Sequence, residues 1–330
     1  MSTITASVRY TEGFLRNRRS RQLFYCGFFP SQVRVKGVVL FLHGINEHSH
    51  RFVHVYERLL ALGFAVIAYD MIGHGRSDCD VDCEGIRAHA DVFEHFVQDT
   101  NDVLTAAKYS IYKEMLAENE PEPPLYFMGM SYGCLVGLHT ILTGEHHFSG
   151  VILAAPALGV NMTPVLRLLS LLSAPLVAAF PRARIIPADF DAICRDKQFV
   201  EECLADPLNV VENLTARMGA NSLAAMQQLS ENTAITDRQS AFCQLPLLMV
   251  QGTGDIITSV PVAQAFYDRI ANFDKELKLY DGLYHCVFNE PEKDQVLDDV
   301  CNWLVAHADL HAAITVSQKP IQATQPFARL

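Results

Sequence analysis

The sequence has no apolar run long enough to cross a bilayer. Its longest apolar segment, residues 165–180, contains Arg167 and is interrupted by Pro175. A membrane-spanning helix needs about 20 consecutive apolar residues, and a proline breaks the interior of a helix. The pattern therefore does not predict a transmembrane helix. Two interpretations of this segment stay open: a buried helix pair, or an apolar rim that dips into a lipid surface.

Basic residues are scarce. Lysine and arginine number 26 against 37 acidic residues, for a formal net charge of −11. Binding nucleic-acid phosphates needs a concentrated cationic face, so no nucleic-acid partner is expected. The one basic cluster, residues 16–21, is interpreted as a solvated hairpin turn, because attachment to anionic lipid usually takes more charge.

The nine cysteines follow no metal-ligand spacing, and their number is odd. The first ten residues are too polar for a signal peptide, so we expect reduced thiols and a cytoplasmic location. The acidic loop 79–83 carries two of the cysteines and is interpreted as solvated rather than metal-binding. His48, His50 and His54 lack a supporting carboxylate cluster, so no metal is expected there either.

Residues 73–78 contain the spacing G-x-G but lack the third glycine and the following helix of a dinucleotide site. This segment is interpreted as a structural loop. Neither an organic cofactor nor a metal is expected.

Apolar runs alternate with segments of helical period. The predicted strands are 5–14, 22–29, 33–44, 64–70, 125–130, 150–158, 246–255 and 276–282, and the main helices are 54–63, 90–115, 131–142 and 293–308. This alternation predicts an α/β fold, with a mostly parallel central sheet and helices on both faces.

The alternation breaks between residues 158 and 240, where the sequence indicates helices and no strand. We expect a core formed by residues 1–157 and 241–308. The segment 158–240 is expected to form a helical cap above the sheet edge where the strands end. The residues 309–330 are expected to be a flexible tail.

Ser131 lies between a predicted strand and a predicted helix, with Gly129 and Gly133 two residues away on either side. This pattern is typical of a sharp strand-to-helix turn that holds a nucleophilic serine in a strained backbone conformation. Larger side chains at the two glycine positions would collide. The helix N-terminus beneath the serine favours a developing negative charge.

A serine hydroxyl needs a base that removes its proton. His285 follows the last predicted strand and Asp255 ends the one before it, so both are expected at the same sheet edge as Ser131. In this interpretation His285 is the base and Asp255 orients it. Asp281 is the alternative orienting acid, but its place in the turn suggests a structural role.

The negatively charged tetrahedral intermediate needs two backbone donors. One is expected to be the amide of Tyr132, directly after the nucleophile. The second is expected to be the amide of Ile45, in the loop that follows the strand ending at residues 41–44.

The sequence resembles the monoacylglycerol lipases and lysophospholipases of the α/β-hydrolase superfamily. The matching segments are residues 43–52, 69–78, 129–134, 195–196, 205–208, 247–255 and 280–288. The resemblance implies an α/β-hydrolase fold with a mobile helical cap, and a serine esterase that cleaves long-chain monoacylglycerols through an acyl-enzyme.

The resemblance also implies that Glu47 and Arg51 contact the glycerol head group; the alternative is a salt bridge that braces their loop. The family usually has His before the nucleophile and Met-Gly-Gly after it, whereas this sequence has Met130 before Ser131 and 132–134 read Tyr-Gly-Cys. This departure weakens the choice of monoacylglycerol over other esters.

Several alternatives remain open. A lysophospholipase or general carboxylesterase would use the same residues, and a non-catalytic lipid-binding protein could use the same fold. Epoxide and haloalkane hydrolases are disfavoured, because those related enzymes carry Asp where Ser131 stands. The ending Ala328-Arg329-Leu330 resembles a peroxisomal address and gives an alternative location. The oligomeric state is not predicted.

Overall fold

The computed structural model describes residues 8–81, 83, 85–116 and 121–317. Its strands are β1 (Val8–Arg16), β2 (Gln22–Pro30), β3 (Gly37–Leu42), β4 (Phe64–Tyr69), β5 (Leu125–Met130), β6 (Gly150–Ala154), β7 (Arg184–Ile186), β8 (Leu214–Thr215), β9 (Leu247–Gly252) and β10 (Lys275–Tyr280). Its α-helices are α1 (Val53–Ala61), α2 (Glu94–Ala106), α3 (Tyr112–Met115), α4 (Tyr132–Thr143), α5 (Pro164–Leu171), α6 (Ser173–Ala179), α7 (Lys197–Ala205), α8 (Ala216–Glu231), α9 (Val260–Arg269) and α10 (Lys293–Ser317).

Eight strands form one sheet in the order β1-β2-β4-β3-β5-β6-β9-β10. Strand β2 pairs antiparallel with both β1 and β4, and the other neighbouring strands pair parallel. The prediction of a mostly parallel central sheet is confirmed.

Helices cover both faces of the sheet. In β3, Val38 and Leu40 pack in the core cluster that contains the buried side chains of α2 and α4. Their neighbours Val39 and Phe41 pack in the other cluster, with α1 and α10. A parallel strand that is buried on both faces has a continuous apolar sequence, and this pattern allowed β3 to be predicted.

The segment 158–240 differs from its prediction in one respect. Strands β7 and β8 form a two-stranded antiparallel sheet where no strand was expected. Elements of three and two residues are too short to show a hydrophobic period. The apolar segment 165–180 divides between α5 and α6 at Leu172, and Pro175 lies in the first turn of α6, where its missing N–H is not needed.

The basic turn lies between β1 and β2, as predicted, and Arg16 and Arg18 are exposed there. Two of its arginines also pair with α2: Arg18 Nη2 lies 2.6 Å from Asp102 Oδ1, and Arg19 Nη2 lies 2.5 Å from Asp99 Oδ1. The C-terminal region departs from expectation. Helix α10 continues to Ser317, so the predicted tail from residue 309 begins as helix.

No helix in the described residues is both long and apolar enough to span a membrane. Because β3, β5, β9 and β10 run parallel, the loops that follow them meet at one edge of the sheet. All the predicted site residues lie in those loops or directly after them.

Candidate active site

Ser131 lies in the turn between β5 and α4. Its backbone has φ +52°, a conformation that a residue with a side chain adopts only under local constraint. Its amide donates to Ala154 O at 2.9 Å, and its carbonyl accepts from Ala157 N at 3.1 Å, so the β6 end holds the turn in place.

The two flanking glycines are required for different reasons. A Cβ at Gly129 would lie 2.9 Å from the backbone N of Cys134, across the turn. A Cβ at Gly133 would meet the carbonyl oxygens of Leu42 and, at 2.6 Å, His43, at the end of β3. Side chains at both positions were expected to collide within the turn. At Gly133 the collision is instead with the end of the neighbouring strand β3.

The imidazole of His285 joins the serine to the acid. His285 Nε2 lies 2.8 Å from Ser131 Oγ, and His285 Nδ1 lies 2.8 Å from Asp255 Oδ2. All three side chains are buried. The structure thus brings together three residues separated by up to 154 positions.

Asp255 accepts five hydrogen bonds. Its Oδ2 accepts from His285 Nδ1, from Gln251 Nε2 at 2.7 Å and from Thr258 Oγ1 at 2.7 Å. Its Oδ1 accepts from the backbone N–H of Ile257 and Thr258, at 2.8 and 3.0 Å. Gln251 was missed by sequence reasoning, although a fully buried glutamine at the end of an apolar strand is a signal of its own.

The pKa values of the pair move apart. Burial alone would raise the pKa of Asp255, but the charge of His285 and the hydrogen bonds lower it below its usual value. Burial alone would lower the pKa of His285, but the charge of Asp255 and its hydrogen bond raise it, and Glu47 adds to this effect. The arrangement therefore favours a carboxylate beside an imidazole that accepts protons readily.

Asp281, the alternative acid, is exposed and does not contact His285. Its Oδ1 accepts from Thr253 Oγ1 at 3.2 Å, and Thr253 Oγ1 accepts from the Gly282 amide at 2.8 Å. These contacts close the turn after β10.

The loop after β3 reaches the same cavity. Ile45 and Tyr132 both line the cavity above Ser131. Tyr132 is the first residue of α4, so its N–H has no acceptor within the helix. His43 holds the loop: its Nε2 accepts from Met71 N at 3.0 Å, which leaves Nδ1–H to donate to Gly44 O at 2.6 Å.

Glu47 lies directly beside the nucleophile loop. Its Oε1 accepts from the Gly44 amide at 2.7 Å, and its side chain lines the cavity. Burial raises its pKa to about 7, against the opposing effects of that hydrogen bond and of Arg51.

Arg51 lies elsewhere. It does not line the cavity; its Nη2 lies 2.8 Å from Cys203 Sγ, its Nη1 lies 3.5 Å from Asp206 Oδ2, and its guanidinium packs over Phe199. Within the described residues Arg51 and Glu47 form no ion pair with each other. Arg51 thus joins the loop after β3 to α7, rather than facing the space where a head group would bind.

The cavity above Ser131 has a volume of about 630 Å³, in the range of small-molecule sites. Its walls are mostly apolar and come largely from the segment 158–240. Among those apolar wall residues are Leu166, Leu169, Leu176, Ile186 and Met226.

Comparison with known proteins places this site in a family. The family model described as serine aminopeptidase, S33, matches residues 33–292. A monoacylglycerol lipase of Mycolicibacterium smegmatis is 33% identical over 82% of this chain and 89% of its own length. The human monoglyceride lipase is 26% identical over 86% of this chain and 87% of its own length.

Solved structures agree on the fold. A soluble variant of the Saccharomyces cerevisiae monoglyceride lipase, in complex with a substrate analogue, superposes with a TM-score of 0.77 at 22% identity, over 93% of this chain and 98% of that one. The predicted α/β-hydrolase fold is confirmed. Since the family model spans most of the sequence and the bacterial relative aligns along it, this chain belongs to the serine aminopeptidase S33 family of α/β hydrolases.

Proposed function

We propose that this protein is a serine esterase that hydrolyses monoacylglycerols to fatty acid and glycerol. The observation that carries the proposal is the hydrogen-bonded series Asp255–His285–Ser131, which opens into a large apolar cavity. The names of the relatives support the same substrate class.

The proposed reaction uses an acyl-enzyme. His285 Nε2 takes the proton of Ser131 as Oγ attacks the ester carbon, and the charge of Asp255 stabilises the imidazolium that forms. The amides of Ile45 and Tyr132 would donate to the oxyanion. His285 then protonates the leaving glycerol oxygen, and later activates the water that releases the fatty acid.

The polar end of the cavity suits a neutral, hydroxyl-rich head group. Asn46 and Asn209 line it, and the side-chain oxygen of each is buried without a hydrogen-bond partner among the described residues. With the carboxylate of Glu47 they supply acceptors that glycerol hydroxyls could satisfy.

A phosphate-bearing head group fits less well. No lysine or arginine is among the described residues that line the cavity, whereas Glu47 and Asp189 are. An anionic phosphate would therefore find no cationic partner among these residues. The cavity lining thus favours monoacylglycerol over lysophospholipid.

We further propose that residues 158–240 form the cap, and that α5 and α6 touch a lipid surface transiently. Neither helix contains a buried residue, and Leu168, Leu171 and Phe180 are exposed. Exposed apolar side chains beside a lipid-sized cavity are typical of a membrane contact.

For location we propose the cytoplasm, because nine free thiols are typical of a reducing compartment. The alternative address, residues 328–330, lies outside the described residues. Microscopy of tagged chains with and without these three residues distinguishes the two.

The substrate proposal is tested by comparing long-chain monoacylglycerol, lysophosphatidylcholine and a short nitrophenyl ester. We expect kcat/KM for monoacylglycerol to exceed that for lysophosphatidylcholine by at least ~10-fold, because juxtaposed like charges cost several kcal/mol. A fluorophosphonate probe should label the wild type but not Ser131→Ala. Preference for either other ester would overturn the substrate class, and absence of labelling would support a non-catalytic lipid-binding role.

The role of Asp255 is tested by a matched pair of substitutions. Asp255→Asn should lower kcat by about 10⁴, because the amide cannot stabilise the imidazolium. Asp281→Asn, which removes the same charge from the exposed turn, should leave kcat close to wild type. Circular dichroism checks that both variants fold. Equal losses in the two variants would contradict the assignment.

The acid limb of the pH profile reports His285, which must be neutral to accept a proton. Its raised pKa places the loss of kcat/KM, as pH falls, above the value for a free imidazole. Glu47→Gln keeps an acceptor for the Gly44 amide but removes the charge, so the limb should move to lower pH. Asp189→Asn, a cavity carboxylate that does not act on His285, is the control. An unmoved limb in Glu47→Gln would refute this coupling.

The lipid contact is tested by vesicle flotation. The double variant Leu168→Ser, Leu171→Ser should partition to phosphatidylcholine vesicles at least ~10-fold less, because each leucine contributes about 1.5 kcal/mol or more when buried. Neither side chain lines the cavity, so turnover of a soluble nitrophenyl ester should persist. Phe273→Ser, exposed elsewhere, is the control. Flotation equal to wild type would eliminate the proposed contact.

A further inference from the structure

The loop between β4 and α2 holds a second cluster of chemically active side chains. The sequence analysis expected a solvated acidic loop near residues 79–83. The structure instead buries Cys83 and His89 completely. It brings Cys83 Sγ, a ring nitrogen of His89 and a carboxylate oxygen of Asp91 within 4.8 Å of one another.

His89 carries the observation that points to a ligand. Its Nδ1 lies 2.6 Å from Thr215 Oγ1, whereas its Nε2 is buried and has no hydrogen-bond partner among the described residues. The nearest carboxylate atom, Asp91 Oδ1, is 3.8 Å away, beyond hydrogen-bond distance. When Nδ1–H donates to Thr215, Nε2 presents a bare lone pair to the sulfur and carboxylate.

We propose that Cys83, His89 and Asp91 bind a divalent metal ion of the zinc type. Zinc takes sulfur at about 2.3 Å, and nitrogen and oxygen at about 2.0–2.2 Å, in tetrahedral geometry. The corresponding ligand-to-ligand separations are roughly 3.3–3.7 Å. Cys83 Sγ lies 3.3 Å from Asp91 Oδ2, and His89 Nε2 lies 3.8 Å from Asp91 Oδ1. The sulfur and the nitrogen thus approach different oxygens of the carboxylate, at separations near those of a zinc site, and a small rotation of Asp91 would bring one oxygen to both.

The donor set selects the class of metal. One sulfur, one imidazole nitrogen and one carboxylate oxygen suit zinc or cobalt, whereas calcium and magnesium prefer oxygen donors alone. Arg182 acts electrostatically on both Cys83 and His89. Asp80 and Asp91 act on the same two groups with the opposite sign, so charges of both signs surround the cluster.

Hydrogen bonds around the cluster orient the proposed ligands, as they do in known metal sites. The contact of His89 Nδ1 with Thr215 fixes the ring orientation, as an outer partner does for most ligating histidines. The Asp91 amide donates to Asp80 Oδ2 at 3.0 Å, which holds the loop backbone. The Asp91 side chain is 35% exposed, which leaves a path for the ion and a fourth position for water.

Without metal, the thiol of Cys83 donates to Asp91 Oδ2. Metal binding would replace this hydrogen bond and release the thiol proton to solvent. That hydrogen bond gives Cys83 and Asp91 a partner. It provides none for the buried Nε2 of His89.

The site would join the loop to the proposed cap. Thr215 caps the N-terminus of α8, and Asn221 Nδ2 on the same helix donates to the carbonyl oxygens of Ala90 and Asp91, at 3.2 and 3.1 Å. A metal held by residues 83–91 would stabilise this junction by mass action, as any ligand of the folded state does.

Cobalt binding tests the proposal without reference to enzyme activity. Metal-free full-length protein, purified under reducing conditions, should bind one Co²⁺ per chain and show a sulfur-to-cobalt charge-transfer band in the near ultraviolet. Zn²⁺ should remove the band by competition and raise Tm. Cys83→Ala should lose the band and weaken Zn²⁺ binding at least ~10-fold, because even outer partners of a metal contribute 10–100-fold.

Cys79→Ser, in the same loop but outside the cluster, is the matched control and should bind like wild type. Asp91→Asn provides a second variant should Cys83→Ala fail to fold, and should weaken Zn²⁺ binding by a similar factor. The proposal is overturned by the absence of the band and of any zinc-dependent Tm shift in folded wild type. It is equally overturned when folded Cys83→Ala or Asp91→Asn binds zinc as tightly as the wild type.

Discussion

The buried charge of Asp255 is the constraint on which the site depends. Its side chain has no exposed surface, so water cannot solvate the carboxylate, and an unpaired charge in that position would cost several kcal/mol. The five donors that replace water come from β9, from the loop after it and from the loop after β10. Satisfying this one group therefore fixes how two strand ends sit against each other, and His285 is fixed with them.

The polar groups of the cavity likewise determine which ligand head group it would accept. Its walls are mostly apolar, and Asn46, Glu47 and Asn209 are among the polar residues that line it. Buried acceptors without partners select between ligands. A ligand with hydroxyl donors forms the hydrogen bonds that these acceptors lack, whereas an anionic ligand does not. The departure from the usual residues around Ser131 leaves this acceptor set untouched.

A structural feature could be predicted from the sequence when it depends on residues that are close together in the chain. Features that depend on contacts between distant residues could not. Buried parallel strands are local, continuous apolar runs, and the loops after them follow by topology, so the sheet and the positions of Ser131, Asp255 and His285 were accessible. Gln251, which donates to Asp255 four positions later, was not singled out, because its complete burial exists only in the folded sheet. Arg51 pairs with Cys203, 152 positions away, and no spacing rule anticipates that contact.

The polar clusters around Asp255 and His89 differ in whether the central side chain has hydrogen-bond partners for each of its polar atoms. Around Asp255 each carboxylate oxygen accepts from donors within the chain, and the carboxylate orients a proton acceptor. Around His89 the chain fixes one nitrogen through Thr215, and the other has no hydrogen-bond partner in the part of the chain that the structure describes, beside a thiol and a carboxylate. Folded proteins rarely retain a buried polar atom without a partner, since the desolvation cost is about 1–3 kcal/mol. The fold therefore explains the contacts of the Asp255 carboxylate, whereas the bare nitrogen of His89 is the atom that the proposed metal ion would satisfy.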